Sequence, residues 1–100
     1  MSKWLQSGLR RDICVLVHAL DEPTGQQLKR DLEARYEEHV RPKQFYGALD
    51  GLVEAGHLTR EAEGLDDQFA LTTAGERALR DHAAWLHERV PQRDNSAERK

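Results

Sequence analysis

The sequence predicts a mainly helical α+β domain made of three helices, a two-stranded hairpin and one long terminal helix. Three observations predict it. Apolar residues recur at three- and four-residue spacing in three successive stretches before Gly56. Between Leu58 and Thr72 that period gives way to alternation on either side of a turn-rich tip. Helical spacing then resumes and continues to Val90, where Pro91 ends it.

The first helix is predicted from Leu9 to Leu20, with Ser7 as a candidate N-cap. Leu9, Ile13, Leu16, Val17 and Leu20 fall on one helical face. Asp21-Glu22-Pro23 ends it, because proline cannot continue the backbone ladder. Thr24-Gly25-Gln26-Gln27 reads as a capping box, with Thr24 at the N-cap and Gln27 at N3. It opens a second helix through Leu28, Leu32 and about Tyr36, and residues 37–41 form a short connector.

Pro42 suits the first turn of a third helix, where its missing N–H removes no bond. Phe45, Leu49, Leu52 and Val53 make the buried face, Lys43, Gly47, Asp50 and Glu54 the opposite one, and Tyr46 stands on the flank. Gly56 is the expected stop after Ala55. Strands are predicted over 58–63 and 68–72, flanking the tip Gly64-Leu65-Asp66-Asp67. Thr73-Ala74-Gly75-Glu76 reads as a second capping box opening the last helix. On that helix Leu79, Ala83, Leu86 and Val90 are spaced four, three and four apart, the seam of a coiled coil. The expected organisation is a core unit over 7–72, a C-terminal dimerisation helix over 73–90 and a polar, disordered tail over 91–100.

Composition narrows the class of function. Of 100 residues, 38% are hydrophobic and 33% charged, which suits one small domain for which oligomerisation is a natural source of added stability. No apolar run reaches the length of a membrane span, and Met1 to Gln6 lacks the pattern of a signal peptide, so a cytoplasmic location is expected. The single cysteine, Cys14, rules out an internal disulfide and a Cys-based zinc site, and in its apolar surroundings it reads as a buried, inert thiol. His82 and His87 are five apart and point to different faces, so no metal site and no cofactor are implied. No nucleophile–base–acid set or phosphate-binding glycine loop is visible, and the chain reads as a non-enzyme.

Helix, helix, helix, hairpin, long helix is the order of a winged helix-turn-helix. In that motif the start of the later helix enters the major groove of DNA. Here it carries Arg41, Lys43, Gln44 and Tyr46. Arginine suits guanine, glutamine suits adenine, and lysine serves as a point charge on phosphate. Lys29, Arg30 and Arg60 are further candidates for the DNA surface. Leu79, Ala83, Leu86 and Val90 are the candidate dimerisation seam, with Trp4 and Trp85 as aromatic packing beside it.

The sequence resembles the PadR-like winged helix-turn-helix regulators, in particular those of halophilic archaea and their viruses. The resemblance spans roughly Leu9 to Val90. It is carried by Arg11-Asp12-Ile13, by the run Leu20 to Gly25, by the run Leu28 to Glu33, by the run Phe45 to Gly56 and by the run Phe69 to Gly75. It implies a cytoplasmic transcriptional regulator, usually a repressor, that dimerises through its C-terminal helix and sets the tyrosine matching Tyr46 at the DNA surface. The wing departs from the pattern. Relatives often carry arginines at the tip, whereas Glu61, Glu63, Asp66 and Asp67 surround this one and Arg60 is its only base.

The net charge of −3 also departs from the basic footprint usual in nucleic-acid binders. Only four of the fifteen basic residues are lysine, an Arg-rich, acid-leaning composition of the kind found in halophiles. At molar salt counterion release contributes little, so base-edge and shape complementarity carry more of the affinity. The competing reading is a winged-helix module for protein contact, whose acidic wing meets a basic partner.

Overall fold

A computed structural model describes residues 8–64 and 66–91. Ser7 and Trp4 lie outside the described residues, as does the polar tail from residue 92 onward. The chain forms α1 (Gly8–Ala19), α2 (Gly25–Tyr36), α3 (Pro42–Glu54), β1 (Leu58–Glu63), β2 (Asp66–Leu71) and α4 (Thr73–Arg89). This is the α+β order expected from the sequence.

Local chemistry sets each boundary. Thr24 caps α2 as a complete box: its Oγ1 accepts from the Gln27 N–H at 3.2 Å, and Gln27 Oε1 accepts from the Thr24 N–H at 2.9 Å. At the far end Glu37 takes a left-handed φ of 58°, turning the chain sharply out of α2. Pro42 occupies the first turn of α3. The helix closes in a Schellman turn, with Gly56 at φ 83° donating to Val53 O and His57 N–H donating to Leu52 O at 2.9 Å.

Two expectations need correction. The cap of α4 is Thr72, not Thr73. Thr72 Oγ1 accepts from the Gly75 N–H at 2.9 Å and donates to Gly56 O at 2.6 Å, so one hydroxyl ties the helix start to the end of α3. With glycine at N3 no reciprocal box forms, and Glu76 instead accepts from Arg80 one turn on. The second correction is at the hairpin, where β2 begins at Asp66 and pairs Glu63↔Asp66 through Leu58↔Leu71. Asp66 and Asp67 belong to the strand, held there by tertiary partners that override their poor strand propensity.

One core joins all the elements. Ile13, Cys14 and Val17 of α1 meet Leu28 and Leu32 of α2, Phe45, Leu49 and Leu52 of α3, and Leu58, Phe69 and Leu79. Fully burying one such side chain contributes about 1.5–3 kcal/mol. The chain before α2 also pairs with the hairpin: Phe69 N–H donates to Pro23 O at 2.9 Å, and Thr24 bridges Gln68. The wing is thereby fixed to the start of α2 as well as to α3. Among the described residues no helix is long and apolar enough to cross a membrane.

Candidate nucleic-acid interface

The connector between α2 and α3 is organised by one carboxylate oxygen. Glu33 Oε2 accepts from Lys29 Nζ and from the Val40 N–H, each at 2.9 Å, and lies 2.9 Å from His39 Nδ1. These contacts, led by the Lys29 hydrogen bond and then the Val40 N–H, hold the Glu33 carboxyl below its ordinary pKa. Val40 itself is buried, so the turn is pinned immediately before α3 starts. Lys29, read from the sequence as a DNA contact, is thus engaged in shaping the turn.

Arg41 is the N-cap of α3 and makes no side-chain cap bond, so among the described residues no side chain caps the Lys43 and Gln44 N–H groups, which can meet an incoming acceptor. Arg30, Arg41 and Lys43 are exposed, and no ion pair engages them among the described residues. Successive residues turn by about 100° around a helix, so Gln44 and Tyr46 flank a stripe made by Lys43, Gly47, Asp50 and Glu54. Gln44 lines a cleft of about 360 Å³ shared with Leu9, Asp12, Tyr36 and His39. Tyr46 packs edge-on to Phe45, with ring centroids 4.9 Å apart, and lies over the start of α2. A Cβ on Gly25 would stand 3.3 Å from its ring, so the glycine makes room for it. The tyrosine is 39% exposed, part packing and part surface. Among the described residues nothing outside its own helix backbone and chain neighbours comes within 4 Å of a Cβ added to Gly47, which leaves the middle of the stripe as bare backbone.

The wing is less acidic in effect than in composition. Asp66 Oδ2 accepts from the Gln26 N–H at 3.4 Å, where the positive end of α2 favours a carboxylate. Arg60 bonds Asp50 Oδ1 of α3 through Nη2, lies 3.4 Å from Asp67 Oδ2 through Nε, and sits over the Phe69 ring. Sequence reasoning placed Asp50 on the outward face of α3 and Asp66 at the wing tip but missed their partners, and it missed the role of Glu33 altogether. The four-residue step from Lys29 to Glu33 was a usable signal. Asp50 and Asp66 are tied to partners on other elements, and no sequence spacing marks those pairings.

A second surface lies on α4. Leu79 belongs to the domain's own core, while Ala83, Trp85, Leu86 and Val90 are exposed. Trp85 stacks on His82 at 5.9 Å and carries the Arg89 guanidinium at 4.7 Å. Leu79 and Ala83 also border an apolar groove of about 380 Å³ with Val15, His18 and Ala19 of α1. Cys14 of α1 is fully buried in the core, and burial pushes its thiol up to about 12. Burial also lowers the His57 pKa, and burial followed by the nearby Arg11 charge lowers that of His82. Among the described residues no three His, Cys, Asp or Glu side chains gather as metal ligands.

No family model and no curated protein matches the sequence. Solved structures do. H. salinarum RosR superposes with a TM-score of 0.81 at 26% identity, over 93% of this chain and 84% of that one. The RosR–S1 complex gives a TM-score of 0.83 at 26% identity, over 98% of this chain and 88% of that one. A MarR-family transcriptional regulator from Rhodococcus sp. RHA1 shares the fold, with a TM-score of 0.63 at 20% identity over 92% and 66% of the two chains. The fold is that of winged-helix regulators.

Proposed function

We propose that this chain is a sequence-specific, double-stranded-DNA-binding transcriptional regulator, a repressor that acts in the cytoplasm as a homodimer on a pseudo-palindromic operator. The observation that carries the reading is the start of α3, where exposed Arg41 and Lys43 and flanking Gln44 and Tyr46 border an uncapped helix N-terminus on a winged-helix frame. Similarity to RosR across nearly the whole chain supports it.

In this reading Arg41 and Gln44 meet base edges or adjacent phosphates, Lys43 grips phosphate, and Arg30 extends the contact along the backbone. The bare backbone at Gly47 lets the helix sit deep in the groove. The exposed face of α4 pairs two copies and so sets the half-site spacing. Weak net charge and the Arg-rich composition suit high salt, where few counterions are released and binding depends shallowly on ionic strength. The PadR-like resemblance belongs to the same reading.

Footprinting over the promoter of the chain's own gene, at low and high salt, tests it. Protection of two symmetric half-sites is expected, and no protection at any salt would sink the idea. The exposed Glu61 and the net charge favour one other reading, a wing that docks a basic protein. The same footprint separates the two.

A further inference from the structure

We infer that Arg60 is a positioning residue and not a DNA ligand: it clamps the wing to the recognition helix by bridging Asp50 of α3 and Asp67 of β2. The inference rests on the DNA-binding reading and concerns how the wing serves that surface. Three contacts converge on one guanidinium. Nη2 meets Asp50 Oδ1, Nε lies 3.4 Å from Asp67 Oδ2, and the plane sits 5.4 Å from the centroid of the Phe69 ring. Phe69 is buried at 2% exposure and is the cross-strand partner of Arg60, so the ring is a fixed seat.

An isolated exposed ion pair contributes little, because water and side-chain entropy offset it. A planar fork shared by two carboxylates and seated on an aromatic face is different: only arginine supplies that geometry, and lysine cannot replace it. The charge balance points the same way. Asp50 stands on the outward stripe of α3, with its side chain 64% exposed, and that of Asp67 is 43% exposed. Without Arg60 both carboxylates would confront the phosphate backbone. If Arg60 left them to grip a phosphate, it would gain one anion and bare two. Held in place, it keeps the hairpin beside α3 and screens both acids.

The test compares Arg60→Ala, Arg60→Lys and Asp50→Asn with the wild-type protein. Each is measured by fluorescence anisotropy against a duplex selected by the wild type from a random pool. Backbone NMR order parameters of β1 and β2 are read on the free proteins, and circular dichroism confirms the fold. Arg60 and Asp50 are exposed, so their replacement leaves the core intact. The clamp predicts that Arg60→Ala and Arg60→Lys both weaken binding about tenfold. All three variants should also lower the order parameters of the hairpin. Near wild-type binding by Arg60→Lys alongside a weak Arg60→Ala would overturn it, because a point charge on phosphate would then suffice. Wild-type binding and order in every variant would overturn it too. If the wild type selects no duplex, the DNA reading fails separately. The order parameters then decide the clamp alone, upheld by a loosened hairpin and refuted by an unchanged one.

Discussion

The carbonyl of His57 occupies the space that a side chain on Gly75 would need. A Cβ added at position 75 would overlap the His57 oxygen and come within 3.0 Å of its carbonyl carbon. That oxygen also accepts from the Thr72 N–H at 3.0 Å, so it cannot retreat without breaking the junction between β1 and α4. Gly75→Ala should therefore destabilise the domain by about 3 kcal/mol, the upper end of overpacking costs. Urea denaturation followed by circular dichroism checks this, and a loss below about 0.5 kcal/mol would contradict the close approach.

Gly47 gives the opposite stability result. It is helical and exposed, and among the described residues nothing beyond its own helix backbone and chain neighbours lies within 4 Å of an added Cβ. Gly47→Ala should stabilise the fold by roughly 0.5–1 kcal/mol through helix propensity. If α3 lies deep in the groove, the same methyl should weaken operator binding. Thermal melts and anisotropy on one sample separate the two effects, and tighter binding by the variant would contradict the close backbone approach.

Alkaline pH should unfold the protein through two groups. The Tyr36 hydroxyl donates to Asp12 Oδ2 at 2.6 Å, and desolvation followed by that bond raises its pKa to about 12. Cys14 is raised to about 12 by burial. Each folded value lies above the ordinary one, so the neutral form is favoured in the folded state. The stabilisation is present below the ordinary values and is lost as pH rises from about 9 toward 12. Tyr36→Phe should lower stability at neutral pH by about 1 kcal/mol. It should also flatten the part of the alkaline decline above pH 10. Urea midpoints across that range check it, and a slope unchanged by the substitution would contradict the assignment.

Much of the fold was legible in the sequence, and the failures have local causes. Thr24 and Gln27 sit alone at their spacing, so the capping box of α2 could be read directly. At α4 two threonines compete, and Glu76 stands three residues after the wrong one. The choice is made by the Gly56 carbonyl, which bonds Thr72 and belongs to another element. Asp66 and Asp67 read as turn because aspartate is a poor strand former. Gln26, far away in sequence, and Arg60, across the hairpin, hold them in β2. The start of α3 was legible because Pro42 marks it. The engagement of Lys29 and Arg60 by carboxylates was not, since charge type alone does not say whether a cation faces solvent or a partner.

Assembly can be tested without harming the fold. Leu86 is 42% exposed on α4, near exposed Trp85 and exposed Val90 just past the helix end. Leu86→Asp should leave the helical signal nearly unchanged while converting a dimer to a monomer, with a lower melting temperature from the lost partner. Light scattering reads this, and a wild type that is already monomeric across micromolar concentrations would contradict the seam.

The most direct measurement of the central claim is selection of duplexes from a random pool, followed by salt-dependent affinity for Lys43→Ala and Gln44→Ala. The account predicts that Lys43→Ala weakens all sequences about equally and reduces the log–log salt slope by about 1. It predicts that Gln44→Ala relaxes preference at one base pair per half-site, by about 1–3 kcal/mol. Enrichment and affinities unchanged in both variants would contradict a recognition surface at the start of α3.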